Sequence, residues 1–363
     1  MASAPGKIRG MKRLPPATQR ISPFALGFAG LLLAASLAGP AAAQTLQTRS
    51  AAGEIKLQKS FAGWQLDQGR GPADLPVSPG VRFSALRSAG SVFVAAGVER
   101  GPQGYGLVVV RGGQGPAAEV LTPPPVAPGQ LAMMPTVLLG PSGLEALLWI
   151  EGKTEQSGAV RVALWNGSAF SAPGDIAPMA AGTQTALQAI RLQDGSWLAV
   201  WSAYDGQDDE IMWSRGSRQG WSPAKAITGN AVPDITPVLR LVPGGVLAVW
   251  SFYDGNDYRL RSARFEDWSW TDGGVFGGKG ASHPFFAEVG AQTLVSFRQV
   301  EPESWALVEL ADSGQPKRQV TLPTATRRPP EILSIDDQAV TIEWSSTDAG
   351  RTPVSIVVPW DQK

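Results

Sequence analysis

Two loops carry the residues best suited to chemistry. Tyr204-Asp205-Gly206-Gln207-Asp208-Asp209-Glu210 and Tyr253-Asp254-Gly255-Asn256-Asp257 each set a phenol beside two or more carboxylates. Groups of this kind hydrogen-bond sugar hydroxyls or supply the oxygen ligands that Ca²⁺ takes. The spacing departs from that of an EF-hand, so Ca²⁺ is the one ion in view and no metal-ligand set is assigned. The same residues also suit plain Asp-Gly turns, in which the second Asp satisfies local backbone N–H groups. With Arg298 and Asp348 further along the chain, the ligand-binding candidates are Tyr204, Asp205, Asp208, Tyr253, Asp254, Asp257, Arg298 and Asp348.

Other chemistries find few residues. His283 is the only histidine and precedes Pro284, where a loop is expected, so a triad or an imidazole base has little to draw on. One His and no Cys argue against zinc or copper. The 42 glycines are spread over turns, with no phosphate-cradling loop opening a helix.

The elements that must position these loops repeat. Leu198-Ala199-Val200-Trp201-Ser202-Ala203-Tyr204-Asp205-Gly206 returns as Leu247-Ala248-Val249-Trp250-Ser251-Phe252-Tyr253-Asp254-Gly255, 49 residues on with one change. Fainter copies align Ala96, Trp149, Ser296 and Trp344 with Trp201 and Trp250, at gaps of 46 to 53 residues. A period of this length is the signature of stacked repeats. Each unit spells four short strands; in the third these are 185–192, 197–202, 210–214 and 221–227, with Asp-Gly turns between them. The second strand is apolar at consecutive positions, as in Trp197-Leu198-Ala199-Val200-Trp201. A strand wetted on one face would alternate, so both faces are buried between neighbouring sheets. Radial repetition of four-stranded sheets gives that environment. The Trp residues of these strands are expected to fill the wedges between blades.

The expected fold is therefore all-β, a six-bladed β-propeller of four-stranded antiparallel blades. Its units run 79–134, 135–184, 185–236, 237–283, 284–329 and 330–363. Trp221 and Trp270 each follow the mid-strand Trp by 20 residues and open the outer strand, whereas the sixth unit ends one residue short of that position. Trp64 is an orphan copy near the N-terminus, so residues 44–78 are expected to close the ring as the outer strand of the last blade. Residues 54–60 have no slot in that scheme.

The first 43 residues read as a secretory signal: a basic start (Lys7, Arg9, Lys12, Arg13, Arg20), an apolar run over 24–37 and Ala41-Ala42-Ala43 before Gln44. A periplasmic or secreted protein is expected, with residues 44–363 as one domain and no membrane insertion after cleavage. The signal holds five of the 31 Lys and Arg and none of the 31 Asp and Glu, so the mature chain is mildly acidic and has no basic cluster for nucleic acid.

The run Val-Trp-Ser-x-Tyr-Asp-Gly-x-Asp, followed by a strand and Gly-Trp-Ser-x-Pro, resembles the BNR or Asp-box repeats of sialidase-like six-bladed propellers. Ser214 to Trp221 keeps the end residues of an Asp box, with Gly216 and Arg218 where Asp and Gly belong. The resemblance implies a site of three Arg, a late Tyr nucleophile with its Glu, and an acid/base Asp. The Arg-Ile-Pro motif of the first blade is missing, and no Tyr lies beyond Tyr258. The expectation is thus a non-catalytic binding module, a monomer presenting its loop face to a glycan or protein ligand. The alternative is a glycoside hydrolase or lyase with a diverged carboxylate site, which requires two of Asp205, Asp254, Asp348 and Glu151 to face each other across the axial opening.

Overall fold

The computed structural model describes residues 45–361, apart from 51–52, 61–62, 70, 103, 114–117, 155–156, 288, 290, 324–329 and 345–353. Residues 1–43 and Asp348 thus lie outside the described part. All described regular structure is strand, arranged as seven antiparallel sheets taken in chain order.

Blade 1 comprises β1 (Thr45–Ser50), β2 (Gly53–Lys59), β3 (Trp64–Asp67) and β4 (Pro72–Asp74). Blade 2 has β5 (Arg82–Ala89), β6 (Val92–Gly101), β7 (Gly104–Gly112) and β8 (Glu119–Leu121). Blade 3 has β9 (Leu131–Gly140), β10 (Gly143–Thr154), β11 (Ser157–Leu164) and β12 (Gly174–Ala181). In blade 4, β13 (Gln184–Arg191), β14 (Trp197–Tyr204) and β15 (Asp209–Ser217) are followed by an outer strand in two pieces, β16 (Gly220–Trp221) and β17 (Lys225–Ala226), both paired to β15. Blade 5 has β18 (Asp234–Val242), β19 (Gly245–Tyr253), β20 (Tyr258–Glu266) and β21 (Ser269–Phe276). Blade 6 has β22 (Ser282–Ala287), β23 (Thr293–Gln299), β24 (Ser304–Leu310) and β25 (Pro316–Leu322). Blade 7 has three described strands, β26 (Glu331–Ile335), β27 (Ala339–Trp344) and β28 (Val354–Pro359).

The propeller is therefore seven-bladed, and the expectation of six blades is corrected. The N-terminal segment does not close the last blade. It forms a blade of its own, in which residues 54–59 fall on the second strand and Trp64, on the third, pairs with Lys59. No strand pairing among the described residues joins blade 7 to blade 1.

Burial explains both the repeat and its failure at the ends. In β14 and β19 the six residues through Ser202 and Ser251 are buried without interruption. Trp201 packs with blade 3, Trp250 with blade 4 and Trp149 with blade 2, so each indole fills the wedge towards the preceding blade. Six apolar clusters occupy the six junctions between consecutive blades, and none among the described residues spans blades 7 and 1. There β2 alternates, with Ile55 and Leu57 buried while Lys56 pairs with Glu54 at 3.0 Å and lies in the field of Glu331. A strand with one dry face has the period of 2 and loses the apolar run that marks the internal blades.

The inner strands share a backbone device. Met134, Ala186, Thr236 and His283 all have positive φ, from 48° to 58°, on the first strands of blades 3 to 6. Each lies at or beside a break in the ladder register. Three of them precede a proline, Pro135, Pro237 or Pro284. A proline cannot donate to a ladder and is tolerated on an edge strand or at a bulge, which is what an innermost strand supplies. His283 thus belongs to a bulged strand rather than to a loop.

Candidate functional site

The loops between second and third strands and the connections between blades meet on one face, shown by the backbone N–H of Asn230 donating to Glu210 Oε1 at 2.8 Å. The candidates on blades 4 and 5 do fold onto their own turns. Asp205 Oδ1 accepts the N–H groups of Gln207 (2.8 Å) and Asp208 (3.2 Å), and Asp254 Oδ1 those of Asn256 and Asp257 (2.9 Å each). These bonds hold both carboxyls below the usual range. The first Asp of each turn accepts two such bonds; of the second, Asp257 Oδ1 accepts the Tyr258 N–H at 3.1 Å and Asp208 accepts none. Gly206 (φ 114°) and Gly255 (φ 96°) supply the positive φ each turn needs.

The remaining candidates other than Asp208 are similarly engaged. The Tyr204 hydroxyl donates to Gly206 O at 2.9 Å, and the Tyr253 ring lies 5.5 Å from that of Tyr258. Asp257 is 3.9 Å from Lys279, and Arg298 pairs with Glu303 at 2.6 Å. Glu151 accepts the Trp149 indole N–H at 2.9 Å. Successive blades therefore carry the candidates on one face, but among the described residues no hydrogen bond or ion pair joins those of one blade to those of another.

Asp234, which the sequence did not single out, is fully buried at the start of β18. It accepts the Trp250 indole N–H (2.5 Å) and the Asn230 amide (2.6 Å). Burial nonetheless pushes its carboxyl up to about 6 from 3.8, with the two hydrogen bonds opposing the rise. The folded state binds this proton more tightly than the unfolded chain does. Its contribution to stability is thus present below the unfolded pKa and is lost as pH climbs from about 4 to about 6. Asp234→Asn should flatten that part of the profile, seen as a smaller difference between urea midpoints at pH 4.5 and pH 7 than in the parent. An unchanged difference would remove Asp234 as its source.

The opposite face carries a second constellation. Glu266 pairs with Ser269 across a two-residue turn, Asp267-Trp268, with φ of 48° and 68°. Such turns favour Asn and Gly, and a tryptophan there costs about 1 to 2 kcal/mol. Trp268 is nevertheless 68% exposed. One face of its ring lies on the Arg215 guanidinium, 3.2 Å from the centroid. Arg215 is itself fixed by an ion pair to Asp194 and by a bond to Ser196 Oγ at 2.8 Å. Beside them a cleft of about 240 Å³ lies between blades 4 and 5, bordered by Leu241, Gly244, Phe265 and the three carboxylates Asp194, Glu266 and Asp267. Glu266 is held by Arg264 at 2.9 Å, leaving Asp267 as a carboxylate with no ion pair among the described residues. At the junction of blades 2 and 3 Arg111 lies over Trp165 in the same way, at 5.4 Å, but that indole is 5% exposed. The exposed copy is the exception.

Comparison with known proteins identifies the architecture alone. No family model matches the chain, and no curated protein does. Solved structures match in fold. A puromycin-hydrolysing peptidase of Mycobacterium tuberculosis is 14% identical over 83% of this chain and 50% of its own, with a TM-score of 0.52. A prolyl endopeptidase is 14% identical over 87% of this chain and 48% of its own, TM-score 0.54. An oligogalacturonate lyase bound to manganese is 10% identical over 88% of this chain and 97% of its own, TM-score 0.54. The chain is a β-propeller. It spans about half the length of the two peptidases. The propeller is shared with these peptidases and this lyase, none of which is a sialidase, and the seventh blade contradicts the six-bladed sialidase-type resemblance.

Proposed function

We propose that the protein is an exported, non-catalytic binding propeller whose ligand is a glycan held against Trp268. The observation that carries this reading is the tryptophan itself. It occupies a strained turn position, is open on one ring face and is backed on the other by a fixed arginine. Strain kept at an exposed position serves no packing purpose and is characteristic of binding surfaces. A sugar ring lays its C–H bonds on an indole face while its hydroxyls reach flanking polar groups. Asp267 and the Gln193 side chain border the same cleft. Its volume is below the roughly 300 Å³ at which pockets begin to enclose drug-sized ligands, which suits one or two sugar units on a surface.

The reading moves the ligand from the face bearing Asp205 and Asp254 to the opposite one. The hydrolase alternative is weakened because Asp205, Asp254 and Glu151 are spent on turns and on Trp149. The test is a glycan array probed with the mature chain and with Trp268→Gly. The variant should lose at least about tenfold in affinity for any glycan bound while gaining about 1 kcal/mol in stability as the positive φ is relieved. A parent chain that binds no glycan, or a variant that binds equally well, would overturn the reading.

A further inference from the structure

The hairpin joining β14 to β15 gathers negative charge without an answering cation. One carboxylate oxygen from each of Asp205, Asp208 and Glu210 lies within 4.8 Å of the others. Asp208 and Glu210 are buried, at 8% and 2% exposure. Both Asp208 oxygens and Glu210 Oε2 lack a hydrogen-bond partner. No Lys or Arg among the described residues forms an ion pair with any of the three. Buried carboxylates are ordinarily paired or bound to a metal, because an unpaired charge out of water is costly.

The neighbouring blade supplies an internal comparison. Its hairpin loop repeats the turn as Asp254 and Asp257, but Arg259 stands at the position of Glu210. Asp254 there feels the Arg259 charge, and Asp257 lies 3.9 Å from Lys279. One copy of the turn carries its own counter-charge. The other has replaced it with a third carboxylate whose oxygen points at the first two.

We propose that Asp205, Asp208 and Glu210 form a divalent-cation site that binds Ca²⁺. The donors are all oxygen, which excludes metals that seek nitrogen or sulfur. Oxygens bound to Ca²⁺ at about 2.3–2.6 Å lie up to roughly 5 Å apart, and the observed spacing fits that span. Ca²⁺ also accepts irregular shells completed by main-chain carbonyls and water, whereas Mg²⁺ demands a near-octahedral one. The competing explanation is a proton shared between Asp208 and Glu210, which needs no metal.

Calorimetric titration of the chelator-treated full chain with CaCl₂ separates the two. Binding of one Ca²⁺ per chain is expected, with a melting temperature raised by about 2 to 5 °C at saturation. Asp208→Asn and Glu210→Gln, the latter keeping an oxygen acceptor for the Asn230 N–H, should weaken Ca²⁺ at least about a hundredfold. Both should melt in chelator at or above the parent temperature, because each removes repulsion; that separates loss of the site from loss of the fold. If either fails to fold, the exposed Asp205→Asn must still weaken Ca²⁺ about tenfold. A parent that binds no Ca²⁺ at about 10 mM, roughly tenfold above the weakest extracellular sites, or variants that bind it as the parent does, would overturn the proposal in favour of the shared proton.

Discussion

Trp250→Ala should lower the unfolding free energy by more than Trp201→Ala, although the two residues occupy the same place in successive blades. Each indole is 1% exposed and sits in an inter-blade cluster. Truncating a packed tryptophan costs roughly 3 to 5 kcal/mol, and both variants should lose at least that. The difference arises at the indole N–H. Trp250 Nε1 donates to the buried Asp234, whereas Trp201 Nε1 has no partner among the described residues. Removing Trp250 therefore leaves a buried carboxyl short of a donor, an added cost of about 1 to 3 kcal/mol. Urea denaturation of the two alanine variants, with Trp250→Phe to keep most of the volume while deleting the N–H, resolves the terms. Near-normal midpoints in both alanine variants would place these residues on the surface and undo the register of the blades. A Trp201→Ala more damaging than Trp250→Ala would show that Asp234 does not depend on the indole.

The register was legible because burial on both faces leaves a mark on sequence. Ala96, Trp149, Trp201, Trp250, Ser296 and Trp344 all lie on the second strand of their blades, as the spacing predicts. The blade that escaped notice has a single dry face. In β2 the residues Glu54, Lys56 and Gln58 alternate with Ile55 and Leu57, so no apolar run announces it. Trp64 misled for a related reason. It resembles Trp221 and Trp270 in local sequence but lies on a third strand, where its indole donates to Val81 O at 2.9 Å and packs on Phe83. Local similarity cannot distinguish the two strands without the pairing partner.

The sites divide similarly. Asp-Gly turns are local, so their geometry could be read from a few residues. Glu210 meets the connection through Asn230, which no local pattern encodes. Trp268 did leave a signal. It stands two residues before Trp270, in a turn where the preceding repeat has Gln219, and an apolar residue replacing a polar one at a turn has no packing reason to be there.

Removing residues 44–66 should expose blade 2, not blade 7. In the six-bladed scheme this deletion would strip the outer strand from the last sheet. In the observed fold it removes most of blade 1, whose Ile55, Leu57, Trp64 and Leu66 cover Phe83, Leu86, Phe93 and Val110. Exposing four such side chains forfeits roughly 6 to 12 kcal/mol at about 1.5 to 3 each, comparable with the whole stability of a domain. The truncated chain should therefore aggregate or lose its cooperative transition, with the uncovered sheet as the point of association. Hydrogen exchange distinguishes the two arrangements where aggregation alone does not. Protection should vanish from Arg82–Ala89 and Val92–Gly101, while Ala339–Trp344 and Val354–Pro359 exchange as in the parent. In the parent itself blade 7 should exchange ahead of blades 3 to 5, since β26 and β28 are largely exposed and an apolar cluster backs the blade on one side only. Protection lost from blade 7 on truncation, with blade 2 unaffected, would restore the N-terminal strand as the clasp of the ring and reduce the blade count to six.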